Sequence, residues 1–112
     1  MTEGNWVANV TAERFEERLK SMFQLVSGEV TMDVQLVRCK LNPDGEGPDS
    51  VRTPFSLVFR ADEDAAHPMQ QTKEFTGALH GLELGTLSGL YICRTLRPVR
   101  TPPGAYYQVA FN

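Results

Sequence analysis

The sequence predicts an α+β fold: an N-terminal amphipathic helix packed on a curved, mostly antiparallel sheet, or half-open barrel, of about five strands. Three observations carry this expectation. Phe55, Leu57 and Phe59 alternate with Ser56, Val58 and Arg60 behind Pro54, the period of a strand with one apolar face. Phe15, Leu19, Met22, Phe23 and Val26 recur at helical spacing and form one stripe. Turn-rich segments separate the remaining apolar runs, as in a meander.

Taken in order, the helix is expected over residues 11–26. Thr11 stands where an N-cap belongs, and Val10 and Phe15 have the spacing of a hydrophobic staple. Ser27-Gly28 supplies the stop, and Trp6 is expected to seal one edge of the helix–sheet contact. Val30, Met32, Val34 and Leu36 then alternate with polar residues. The parity slips at Leu36-Val37 and resumes on Val37, Cys39 and Leu41, which predicts a β-bulge. Asn42-Pro43-Asp44-Gly45 is turn chemistry, prolonged to Ser50, after which the Pro54 strand returns antiparallel. A third strand is expected over 71–80, with Phe75 and Leu79 facing the core. A fourth lies in 87–96, where Leu90, Ile92 and Leu96 share a parity. Gly85 and Gly89 read as turn and strand glycines. Residues 97–104, with three prolines, break regular structure, and a last strand spans 105–111 with Tyr107, Val109 and Phe111 in alternation. The expected core is Phe15, Leu19, Phe23, Val34, Phe55, Leu57, Phe59, Phe75, Leu90, Ile92 and Phe111.

With 112 residues the chain suits a single domain, 1–112. No apolar run is long enough for a helix to span a bilayer, and residues 1–5 lack the features of a secretory signal. The expected location is therefore the cytoplasm, or a particle or fibre assembly that carries the protein elsewhere. Cys39 and Cys93 are expected as free buried thiols. The net charge of −3 is uneven: residues 1–83 carry −6, whereas residues 84–112 carry Arg94, Arg97 and Arg100 without an acid. Such polarity can orient a molecule against a partner or its own copies.

No catalytic, cofactor-binding or metal-ligating residues are predicted. His67 and His80 lack the context of a triad, and Ser56 has no nucleophile elbow. Asp62, Glu63 and Asp64 are contiguous, so their side chains diverge rather than form a calcium loop. The cysteines and histidines have no zinc spacing. Arg94, Arg97 and Arg100, with Tyr106 and Tyr107, are the candidate interaction residues. Tyrosines beside arginines can bind single strands on small barrels, but a pI near 5.3 opposes the basic footprint of a nucleic-acid module. A protein partner or self-association is expected, with strand addition one route if the last strand is an edge. The alternative is a small nucleic-acid-binding or small-molecule-binding β-barrel.

Pro54-Phe55-Ser56-Leu57 with Phe59, then Gln71, Phe75, His80, Leu84-Gly85 and Pro98, then Tyr107 with Phe111-Asn112, make a pattern along nearly the whole chain. In this the sequence resembles an uncharacterised family of bacterial domains of about a hundred residues, with a PFSL signature and a terminal FN. The resemblance further implies a gene that accompanies those for phage-tail-collar-like fibre proteins. The resemblance implies a non-enzymatic accessory or structural partner of a fibre or tail-like assembly, and carries over no catalytic residues.

Overall fold

The computed structural model describes residues 11–42, 47, 53–82 and 85–111, with only the backbone of residues 82 and 85. They form a closed, antiparallel, six-stranded β-barrel, stoppered at one end by a single turn of helix. The strands are β1 (Met22–Ser27), β2 (Val30–Leu41), β3 (Phe55–Ala61), β4 (Glu74–Leu82), β5 (Gly85–Thr95) and β6 (Ala105–Phe111). Around the barrel they run β1-β2-β3-β6-β5-β4, each paired on both sides.

This overturns the α+β expectation of a long amphipathic helix on about five strands. The helix α1 is only Ala12–Glu16. Lys20, with φ at 72°, leaves the helical region and turns the chain into β1. Hydrogen bonds with β2 fix that corner: Lys20 N–H donates to Leu36 O (2.7 Å) and Leu36 N–H to Ser21 O (3.0 Å). The supposed stripe divides accordingly. Phe15 enters the core from the helix and Phe23 from a strand, while Leu19 and Met22 are 44% and 61% exposed. Leu25, absent from the stripe, is fully buried on the strand parity of Phe23. As a strand, residues 22–27 bond to β2 and β4 at once, satisfying backbone groups on both sides of the segment. Gly28 is the first residue of the tight turn joining Ser27 to its partner Val30, with φ at 61°, rather than the end of a helix. Thr11 does occupy the N-cap position, but its side chain makes no capping bond. Trp6 and Val10 lie outside the described residues, as do 43–46 and 48–50 of the turn and loop expected over 42–50.

The remaining strands follow their sequence patterns, except that the strand expected over 71–80 begins only at Glu74, Gln71 belonging to a 3-10 helix. The β2–β3 register shifts between Leu36 and Arg38, where the bulge was expected, and Gly89 (φ 73°) falls in a second register shift on β5. Phe55, Leu57, Phe59 and Ala61 point inward from β3, and β6 aligns Tyr107, Val109 and Phe111 against them. Leu96 departs from expectation: it lies beyond the end of β5 and is 89% exposed. The conditional reading of β6 as an edge also fails, since β3 pairs with it along one side and β5 along the other. Barrel closure removes the edge that strand addition would use.

One aromatic cluster closes the α1 end. The Phe15 ring lies 5.8 Å from Phe55, 5.8 Å from Phe111 and 6.2 Å from Phe23, while Phe55 and Phe111 stack at 4.7 Å. A 3-10 helix, Pro68–Gln71, lies against β2 and buries Met69 in the same core. His67 fastens it. Its Nδ1 accepts from Met69 N–H (3.2 Å) and its Nε2 donates to Thr31 O (2.9 Å), a structural use that fixes the tautomer. The His80 ring lies with Nδ1 3.4 Å from the Thr86 hydroxyl.

Candidate interaction surface

The five candidate residues separate into two roles. Tyr106 and Tyr107 are buried, and neither ring is open to stack a base. Arg97 and Arg100 are exposed on the 96–104 loop, and Arg94 lies at its root. Tyr106 points to the outer face of β6, yet the loop folds over it, and its hydroxyl donates to Pro102 O (2.5 Å). Arg60 stands opposite Tyr106 in the β3–β6 register and donates from Nε to Pro103 O (2.8 Å). The guanidinium also meets Asp62 at 3.2 Å. Gly104 completes the strap by close approach: a Cβ there would lie 2.8 Å from both Ala61 O and Arg60 Nε. The loop is thus held from behind by side chains of β3 and β6.

Its front is not buried. Val99 is 81% exposed, close to the value for Leu96, and the two flank Arg97 in sequence. Between them and the strap the chain turns through Arg100 at φ 66°, with the Thr101 hydroxyl donating to Pro98 O. A left-handed conformation at a non-glycine residue costs about 1–2 kcal/mol. The strained residue sits at the tip of an anchored loop, beside two uncovered aliphatic side chains.

Behind the loop, Arg94 faces into the barrel mouth. Its guanidinium carbon stands 5.5 Å from the Tyr107 ring centroid, and Nη1 donates to Gln70 O (3.2 Å). Burial raises the Tyr107 hydroxyl above its ordinary pKa, and nearby Arg94 partly offsets that shift. Among the described residues that hydroxyl makes no well-formed hydrogen bond, although Arg94 lies close enough to favour its ionised form. Two open recesses share Glu63 and Arg94. One, of about 390 Å³, also has Asp64, Ala65 and Gln70 in its wall; the other, of about 520 Å³, adds Lys73, Leu96 and Arg97. Folding therefore brings Glu63 and Asp64 beside Arg94, and Glu63 beside Arg97, so the polarity along the sequence is not a polarity in space at this end.

Among the described residues no cluster of His, Cys, Asp or Glu could hold a metal ion. No helix there is long and apolar enough to cross a membrane. Cys39 and Cys93 are free and half-buried; burial, with Glu16 and Glu13 nearby, pushes the Cys39 thiol up to about 11. Tyr91, the third tyrosine near the arginines in sequence, lies exposed on the barrel wall and donates to Glu74. Sequence reasoning missed Leu96, Val99, Lys73 and Glu63. Leu96 shares the parity of Leu90 and Ile92, yet Arg97-Pro98 directly after it marks the strand's end.

Fold and surface together define a small closed β-barrel that displays one strapped, basic, apolar-tipped loop. The chain belongs to the family described as a domain of unknown function, DUF6916, whose match spans residues 10–111. No curated protein and no solved structure matches it.

Proposed function

We propose that this chain is a non-enzymatic protein-interaction or assembly module, and that the 96–104 loop is its contact surface. The observation that carries this reading is the exposure of Leu96 and Val99 on a loop whose shape is fixed from behind. Burying an aliphatic side chain is worth about 1.5–3 kcal/mol, and neither contributes that to this fold. Three prolines and the Arg60 and Tyr106 anchors reduce the ordering that binding would require. The finer setting is an accessory or structural role in a fibre or tail-like assembly, and rests on the resemblance carried by Pro54-Phe55-Ser56-Leu57 and the terminal Phe111-Asn112.

A photocrosslinking amino acid at position 99, in the producing cell, tests the reading. The expected result is one discrete adduct, with a partner or a second copy, that disappears on Leu96→Asp while circular dichroism stays unchanged. A diffuse adduct pattern, or a discrete one indifferent to Leu96→Asp, would refute it.

A further inference from the structure

The larger recess behind the loop has a composition that selects its occupant. Among the described residues, Lys73, Arg94 and Arg97 line it with one carboxylate, Glu63, leaving two positive charges in excess. The Arg94 N–H donates to Lys73 O at 2.7 Å, which holds these two cation-bearing residues side by side. Arg94 is oriented from below by Gln70 O and by the Tyr107 ring, while only one of its guanidinium nitrogens is engaged by Gln70. Arg60 pairs with Asp62, whereas neither Lys73 nor Arg97 has a carboxylate partner among the described residues. Leu96 forms part of the same wall.

We infer that this recess binds an acidic peptide segment of the protein partner: two carboxylates beside an apolar side chain. The carboxylates match the excess charge, and Arg94 presents a fork suited to one of them. The apolar residue packs on Leu96, continuous with the exposed loop tip. A single-stranded nucleic acid is disfavoured because Tyr106 and Tyr107 are buried and offer no open ring on which a base could stack. This inference rests on the interaction-module reading and deepens it by naming the partner's chemistry.

The test is an NMR titration of the full, isotope-labelled chain with the blocked peptide acetyl-Gly-Glu-Glu-Leu-Gly-amide. Its Gln-Gln counterpart, inorganic phosphate and a short oligothymidine serve as comparisons. The Glu-Glu peptide is expected to move the signals of Lys73, Arg94 and Arg97 with a Kd on the order of 1 mM, and the Gln-Gln peptide to leave them in place. Arg97→Glu and Lys73→Glu change exposed side chains and should each weaken binding by about two- to fivefold, rescued by Arg97→Lys at the first position. Equal binding of the Gln-Gln peptide, tighter binding of phosphate or oligothymidine, or no shift up to about 10 mM would overturn the inference. A discrete, Leu96-dependent crosslink from position 99 together with a failed titration leaves the interaction-module reading standing. Loss of the crosslink with a successful titration removes the loop tip and keeps the recess.

Discussion

Replacing Phe15 with alanine separates a stoppered barrel from an amphipathic helix lying on a sheet. Phe15 is fully buried and meets the rings of Phe23, Phe55 and Phe111, so its removal leaves an aromatic-sized void across three strands. Substitutions of this kind cost about 3–5 kcal/mol. For 112 residues, total stability should be about 6–17 kcal/mol, so the loss is a large share of it. It corresponds to a fall in Tm of about 12–20 °C. Leu19→Ala and Met22→Ala provide the contrast, because both side chains face solvent, and each should cost less than about 1 kcal/mol. Urea unfolding with linear extrapolation measures all three, with unchanged m-values confirming a common two-state transition. A Phe15→Ala loss below about 1 kcal/mol, or a Leu19→Ala loss equal to it, would refute the reasoning, since a continuous helix predicts comparable costs along its stripe.

Three further outcomes are expected. Tyr107→Phe removes a buried hydroxyl that makes no well-formed hydrogen bond among the described residues, so urea unfolding should show stability unchanged or higher by about 1 kcal/mol; a clear loss would reveal a bond to that oxygen, with Arg94 the nearby donor. Gly104→Ala should cost about 1–3 kcal/mol and speed hydrogen exchange in the 96–104 loop, because the new methyl must displace Arg60 or the Ala61 carbonyl; unchanged exchange would show that the strap tolerates it. Cys39 has a folded pKa of about 11 against an ordinary 9.0, so its contribution is present below pH 9 and lost as pH rises through 11; a Cys39→Ala variant should lose less stability over that range, and an identical decline would refute it.

The candidate site was legible in the sequence only in part. The cluster Arg94, Arg97 and Arg100 stood out as charge, and the prolines marked an irregular loop. Tyr106 and Tyr107 have the composition of an interaction surface, yet one lies beneath the loop and the other inside the barrel. That distinction depends on Arg60, 43 residues from Pro103, whose backbone oxygen it binds. Lys73 and Glu63 joined the surface through the same long-range folding.

By itself the sequence determined the elements whose signal is local. Period-two alternation located β2, β3 and β6, the parity slip at Leu36-Val37 located a bulge, and prolines ended β5. Tertiary structure decided everything that required a distant partner. Residues 22–26 match a helical stripe and a strand about equally, and only bonds to β2 and β4 settle them as β1. The same β1–β4 ladder, with β5–β6, closes the barrel. Alternation reports which face of a strand is apolar; it carries no information about which strand lies beside it. Closure depends on that second quantity, because each backbone N–H and C=O along a strand must find a neighbour chosen by the whole chain.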